Sequence, residues 1–262
     1  QGMDAYIEGA PLVDKMATVS IRLGQFRVPF SRQNLTSSGS LQLPDPAYFA
    51  TSKYVVDRDI GAMVIGRFWE DRIRLSAGVF NGNEPGRGQT LNTDGSFLWA
   101  GRLEVSPFGT PPAHEGDLRD EKARRKPAVV VGGGAMWNTQ EDKHYDRLYI
   151  GGDAGAWFQG ASLYAEIYRR TDKPSCVAAG EKGTACPAGA VPPAPITGEG
   201  WNIQLGYFPH LPWVHDHVEI VGRVQRFDPY VEVTEPGADA GERELDQSNP
   251  TWGYMGYVVG LN

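Results

Sequence analysis

The sequence contains no long hydrophobic run. Its longest nearly uncharged stretch, residues 127–137, is far shorter than the ~20 apolar residues that a membrane-spanning helix needs. Long runs of helix-forming residues are also scarce, whereas the chain holds 33 Gly, 11 Tyr and 7 Trp. The composition therefore excludes a helical membrane protein and favours β structure.

An excess of basic residues is missing as well. The formal net charge is −7 and the isoelectric point is near 5.3, which argues against a nucleic-acid-binding protein. Cysteine is rare, since Cys176 and Cys186, in a Pro/Ala/Gly-rich stretch, are the two that the chain contains. Their spacing excludes a Cys-x-x-Cys metal or redox site and leaves open a disulfide or two unpaired thiols.

The strongest pattern that is present covers residues 57–82. Two apolar-rich segments meet at Glu70-Asp71, where there is room for a tight turn and nothing longer. In the second segment aliphatic residues alternate with Arg72, Arg74 and small residues, so one face of a strand is apolar and the other polar. The alternation is long enough for a tilted strand to cross a membrane, which predicts a hairpin of an outer-membrane barrel.

Similar alternation recurs along the chain and predicts about eleven strands. Taking Glu70-Asp71 as a periplasmic turn puts most of the long connections at the opposite end, as a barrel requires. Residues 107–127 are the exception, because they are long for the turn end. Residues 1–262 are therefore predicted to form a single all-β domain, a transmembrane antiparallel up-and-down barrel.

The tryptophans agree with this interpretation, because they lie at or near the predicted strand ends. Trp69 and Trp157 fall at turn ends, and Trp99, Trp137 and Trp201 fall near the opposite ends. Amphipathic rings belong at the level of the lipid headgroups, so the positions predict two aromatic girdles.

The alternation also assigns many charged side chains to the inner wall, including Asp59, Glu104, Asp153, Glu166 and Glu219. Burying so many charges in a dry core would cost several kcal/mol per unpaired ion, a cost that a wet lumen removes. A ring of guanidinium groups attracts anions, although the same groups could form an Arg/Glu network that braces the wall. The predicted pore-lining arginines are Arg22, Arg67, Arg74, Arg102, Arg147, Arg170 and Arg223.

One predicted strand, residues 60–68, is apolar on both faces, because Met63 and Ile65 point to the inner side. We expect a loop folded into the barrel to cover these residues, most simply the long loop that precedes the strand.

Four motifs, taken in order, resemble the phosphate-selective porin O and P family. They are LGQFRVPFSRQNL (23–35), DRDIGAMVIGRF…RIRLSAGVFNG (57–82), AGRLEVSPFG (100–109) and YVVGLN (257–262). The resemblance implies a sixteen-stranded homotrimeric barrel of the bacterial outer membrane that passes phosphate or other anions. It implies further strands before and after this chain, and inward-folded loops whose basic residues constrict the pore. The loop at 28–58, with Arg32, Lys53 and Arg58, is the candidate for such a constriction.

The lysine-rich phosphate funnel of the family is not evident, because Lys is sparse and lies mostly in loops. We therefore predict a porin for small anions or small solutes, in contact with outer-membrane lipid, without catalysis, cofactor or metal. A polar turn is preferred to a metal site for His210, His215 and His217. The alternatives are a barrel with a blocked lumen whose loops bind a partner, and a soluble β-sandwich binding module.

Overall fold

The computed structural model describes residues 4–50, 55–82, 92, 95–117, 126–140, 145–174, 195–209, 218–232 and 254–261. These residues contain eleven strands. They are β1 (Ala5–Val13), β2 (Ala17–Arg27), β3 (Arg58–Phe68), β4 (Ile73–Phe80), β5 (Leu98–Phe108), β6 (Ala128–Gln140), β7 (Tyr145–Phe158), β8 (Ala161–Pro174), β9 (Ile196–Tyr207), β10 (Ile220–Glu232) and β11 (Tyr254–Leu261).

All eleven strands belong to one sheet in which each strand pairs with its neighbours in sequence. Every pairing is antiparallel, for example Leu75 with Gly66 on β3 and with Leu103 on β5. The order confirms the up-and-down β architecture and the number of strands, and β1 and β11 are the two edges of the sheet. The helices of the described residues are all too short to cross a lipid bilayer.

The hairpin between β3 and β4 is as tight as its sequence predicts. Trp69, Glu70 and Asp71 all adopt positive φ angles, of 51°, 58° and 64°, and the Arg72 amide donates to the Trp69 carbonyl at 3.2 Å. Residues in the left-handed region of φ/ψ space let the chain reverse its direction within a short turn. The conformational energy that these angles cost is offset by the hydrogen bonds of the long strands on either side.

The two faces of the sheet differ in chemistry and in packing. One, the exposed face, carries aliphatic side chains such as Ile21, Leu75, Leu103 and Ile203, all accessible from outside the sheet. The other, the covered face, carries the polar and aromatic residues between them and packs against chain segments outside the sheet. The period-2 alternation of the sequence therefore separates the faces as predicted.

The connection from β2 to β3, residues 28–57, is called the cover segment below, and its described residues, 28–50 and 55–57, lie on the covered face. The segment includes the one-turn helix α1 (Arg32–Leu35), whose first amides are capped by the Ser31 hydroxyl, which accepts from the Asn34 amide at 3.1 Å. Phe30, Phe49, Val55 and Val56 of this segment join one buried cluster. The strand residues of that cluster include Met63, Ile65, Met136, Tyr149 and Tyr168. The cover segment therefore supplies the packing that the apolar inner side of β3 predicts.

Residues 109–117, called the turn segment below, lead out of β5 at the end of the sheet that holds the Glu70-Asp71 turn. Glu115 and Asp117 are buried, and the Asp117 carboxylate accepts from the Gly160 amide at 2.9 Å. The unusual length of this connection thus has a structural use, because the chain folds back onto the covered face.

The positions of the tryptophans are confirmed in part. Trp69, Trp99 and Trp137 are exposed by 54%, 56% and 50%, and Trp99 and Trp137 are direct partners across β5 and β6. The girdle interpretation is wrong for Trp157, which is 1% exposed and lies on the covered face, where its Nε1 donates to the Glu115 carbonyl at 2.7 Å. Trp201 lies in the middle of β9, because this strand begins at Ile196, earlier than the sequence predicts.

Candidate functional site

The covered face carries all seven arginines that the sequence singles out. Each lies at a strand position whose register partners also point to this face, for example Arg22 with Glu8 and Met63, and Arg223 with Gln204. Their surroundings differ strongly across the sheet, so the strands are described in turn.

Arg102 lies at the centre of the charged side chains under the cover segment and is 5% exposed. Its Nη1 donates to Asp153 Oδ2 at 2.6 Å and its Nη2 donates to Asp153 Oδ1 at 2.9 Å. Nη1 also donates to the Phe30 carbonyl of the cover segment at 2.7 Å, and Nη2 to Glu104 Oε2 at 3.3 Å. Several acceptors therefore satisfy this guanidinium, and its charge is neutralised locally.

Arg32 of α1 binds to the same group of residues from the side of the cover segment. Its Nη1 donates to Glu104 Oε2 at 2.9 Å, and its backbone amide donates to Glu166 Oε1 at 3.2 Å. The other oxygen of Glu166 accepts from the Tyr164 hydroxyl, and the Arg32 guanidinium lies 5.4 Å from the Trp157 ring centroid. Arg32 is thus placed on the folded-in segment, where its guanidinium pairs with Glu104 and its backbone amide binds Glu166.

Arg147 and Arg170 lie near the ends of β7 and β8 that are farthest from the Glu70-Asp71 turn, called the loop end of the sheet below. Arg147 forms a two-point pair with Asp172, with Nε–Oδ1 at 2.8 Å and Nη2–Oδ2 at 3.1 Å. Arg170 Nε approaches the same carboxylate at 3.4 Å. One aspartate therefore holds both guanidinium groups against the wall.

Arg223 of β10 binds the cover segment through backbone carbonyls. Its Nη1 donates to the Asp45 carbonyl at 2.9 Å and its Nη2 to the Pro46 carbonyl at 3.3 Å. Two residues on, Gln225 Oε1 accepts from the Tyr48 amide at 3.0 Å. These contacts attach the far end of the cover segment to the sheet.

The arginines on β2, β3 and β4 are more accessible. Arg22 pairs with Glu8 at 2.6 Å and lies 4.1 Å above the Tyr6 ring. Arg67 and Arg74 are direct partners in the β3–β4 pairing, so two like charges lie side by side near the turn. In the described part of the chain, neither Arg67 nor Arg74 forms an ion pair.

Two of the three constriction candidates fall within the described residues, and they lie in different places. Arg32 is on the cover segment as expected, whereas Arg58 begins β3 and pairs with Asp4 at 2.6 Å and Asp57 at 2.7 Å, at the loop end of the sheet. Lys53 lies outside the described residues. The same is true of Cys176 and Cys186, and of His210, His215 and His217.

Alternation in the sequence assigns Glu219 and Gln204 to the inner wall, but sequence reasoning missed Glu115, Gln33 and Gln42, which connect the cover segment to the turn segment. Glu115 accepts from Gln33, Gln42 and Gln204, and Gln42 also reaches Ser162 and Glu219. The signal that could have found them is the length of the 107–127 connection, which exceeds that of the other turns at its end.

The glycines of the sequence GGG (132–134) make room for these contacts. A Cβ on Gly132 would lie 2.5 Å from Arg102 Nη2, and a Cβ on Gly134 would lie 3.0 Å from the Phe30 carbonyl oxygen. The cover segment therefore approaches the wall closely at Gly134, where a side chain would obstruct it.

Comparison with protein families matches residues 4–167 to the family described as phosphate-selective porin O and P. The matched region extends from the first strand into β8 and includes every candidate arginine up to Arg147, and ends before Arg170 and Arg223. The motif at 257–262 also lies beyond it. No curated protein and no solved structure matches the chain.

Proposed function

Because the chain belongs to the phosphate-selective porin O and P family, we propose that it forms part of a bacterial outer-membrane barrel through which small solutes diffuse passively, with a preference for anions. In this proposal the exposed face meets lipid and the covered face forms the lumen wall. Apolar side chains on one face and charged ones on the other are the arrangement that a transmembrane barrel needs.

The observation that carries the anion preference is the pairing of Arg67 with Arg74. Like charges placed directly opposite each other disfavour a strand pair. Arg74 also lies opposite Glu104 on β5, whereas the other register partner of Arg67 is the neutral Thr18. Arg74 is exposed and Arg67 is half-exposed, so a solute passing this wall would meet two guanidinium groups. Planar guanidinium groups bind oxyanions through two adjacent oxygens.

The arginines that pair with aspartates of the covered face have a structural role in this proposal. Arg102, Arg147 and Arg170 are engaged by Asp153 and Asp172, so they brace the wall. We infer that the solute path runs along β1–β4, where Arg22, Arg67 and Arg74 lie. The seven-arginine path that the sequence suggests is thereby narrowed to these three residues. Arg22 pairs with Glu8, so Arg67 and Arg74 are the two that form no ion pair within the described part of the chain.

Planar-bilayer recording of the reconstituted porin tests the proposal. We expect step increases in conductance, and in a salt gradient a reversal potential whose sign shows anion preference. A reversal potential of zero or of cation sign would contradict the anion preference, while the presence of steps would still support a pore.

A second candidate function is a barrel with a closed lumen, and the extent of the cover segment favours it. The segment bonds to β5 through Arg102, to β8 through Glu166, and to β10 through Arg223 and Gln225. Absence of conductance from folded protein in the same bilayers would favour this candidate over an open pore.

A further inference from the structure

The cover segment and the turn segment reach the covered face from opposite ends of the sheet. The cover segment begins after Arg27 of β2 and ends before Arg58 of β3. These two arginines are register partners at the loop end of the sheet. The turn segment follows β5 at the end where Val105 pairs with Ile73, beside the Glu70-Asp71 turn. Their backbones meet where the Glu115 amide donates to the Ser40 carbonyl at 2.9 Å.

Glu115 holds this junction with both carboxylate oxygens. Oε1 accepts from Gln33 Nε2 of α1 at 3.1 Å. Oε2 accepts from the Gln42 amide at 3.1 Å and from Gln204 Nε2 of β9 at 3.0 Å. One side chain therefore connects two points of the cover segment to a strand of the sheet.

Glu115 is a buried carboxylate whose burial depends on its hydrogen bonds. The side chain is buried, at 5% exposure, and its hydrogen-bond donors named above are amides, which carry no net charge. A buried carboxylate is tolerated when several donors satisfy it, and loses that compensation if the segments separate. The position of the cover segment and the satisfaction of Glu115 thus depend on each other.

Gln42, the middle partner, fits a notch in the sheet. Its Nε2 donates to Ser162 Oγ at 2.8 Å and to Glu219 Oε1 at 2.5 Å, and its Oε1 accepts from Gln204 Nε2 at 2.7 Å. A Cβ on Gly206 would lie 2.0 Å from Gln42 Nε2, so the glycine leaves the space that Gln42 occupies. The docking is therefore specific to one position of the segment.

We propose that Glu115 is a positioning residue that locks the cover segment against β8–β10 and thereby sets the width of the solute path. The turn segment acts as a second inner element, inserted from the turn end, whose removal frees the cover segment. The effect on conductance rests on the proposed porin function, whereas the locking of the segment does not.

The variant Glu115→Gln tests the lock, because glutamine keeps the size of the side chain and replaces one acceptor oxygen with a donor. Hydrogen exchange of the folded porin in detergent should show about tenfold faster exchange of the Ala47 and Tyr48 amides. These amides bond to Gln33 Oε1 and Gln225 Oε1 rather than to Glu115, so they report release of the segment. In bilayers the same variant should change the single-channel conductance or add switching between levels.

The matched control is Asp59→Asn, the same acid-to-amide change at another buried carboxylate of the covered face. Asp59 accepts from the Ile60 and Gly82 amides, outside both segments, so exchange at Ala47 and Tyr48 should stay at the wild-type rate. Gln204→Leu serves as the milder variant if Glu115→Gln does not fold, and should accelerate the same two amides to a smaller extent.

The outcomes separate the two proposals. Unchanged exchange at Ala47 and Tyr48 in the folded variants would overturn the lock, whatever the conductance. Faster exchange with a conductance change supports both proposals. Faster exchange in a protein whose wild-type form conducts nothing keeps the lock and removes the porin function.

Discussion

Arg102 on β5 and Asp153 on β7 form a two-point ion pair across the intervening strand β6, with N–O distances of 2.6 and 2.9 Å. The pair passes over Gly132, whose missing side chain leaves room for it, since a Cβ there would lie 3.0 Å from Asp153 Oδ1. Three consecutive strands are thus held together by one contact that the neighbour-to-neighbour pairing of the sheet does not provide.

Removing one partner of this pair should destabilise the protein strongly. Asp153→Ala leaves the Arg102 guanidinium buried without its main acceptor, and we expect a loss of about 3–5 kcal/mol in the free energy of unfolding. Guanidinium chloride titration of the folded protein in detergent measures the loss. The double variant Arg102→Met, Asp153→Leu should recover most of it, and a double variant as unstable as the single one would contradict the argument.

Adding a side chain at Gly206 should displace the cover segment. In Gly206→Ala the new methyl group would overlap Gln42 Nε2, so we expect a loss of about 1–3 kcal/mol in stability. Gly222→Ala on the neighbouring strand is the control, because its Cβ would lie 3.9 Å from the Val258 carbonyl oxygen. Equal stability of the two variants, measured by the same titration, would show that Gln42 does not occupy this notch.

Neutralising the arginine pair should change ion selectivity. In the double variant Arg67→Gln, Arg74→Gln we expect the reversal potential to move toward cation preference, because two accessible positive charges leave the proposed path. Bilayer recording in a salt gradient measures the shift. Arg226→Gln removes one charge from the exposed face and should leave the reversal potential unchanged. A double variant with wild-type selectivity would assign the anion preference to other residues.

Truncating Phe49 should loosen the cover segment. The Phe49 ring is fully buried, and its centroid lies 3.8 Å from that of Tyr168 in an edge-to-face contact. Phe49→Ala should cost about 3–5 kcal/mol where the site cannot collapse, and should raise conductance if the segment narrows the path. Leu35→Ala, at a position 36% exposed on the same segment, should cost far less. Similar losses for both variants, measured by unfolding, would contradict tight docking of Phe49.

Much of the sheet was predictable because strand alternation is a local property. Ile73, Leu75 and Val79 alternate with Arg74, Ser76 and Gly78, and this is enough to assign faces and to place the turn at Glu70-Asp71. The apolar inner side of β3, at Met63 and Ile65, likewise predicts a cover, and the long preceding loop provides it. The strand ends were less predictable, since β9 begins at Ile196, well before Trp201, which the sequence places near a strand end.

The sequence by itself determined the class of the protein, because period-2 alternation and four ordered motifs depend on neighbouring residues along the chain. It also placed the candidate arginines on one face of the sheet. The tertiary structure decided which of them are neutralised, through contacts such as Arg102 with Asp153, 51 residues apart, and Arg223 with Asp45, 178 residues apart. The tertiary structure also created the junction at Glu115. Its partners Gln33, Gln42 and Gln204 become neighbours when two segments fold onto the covered face from opposite ends of the sheet.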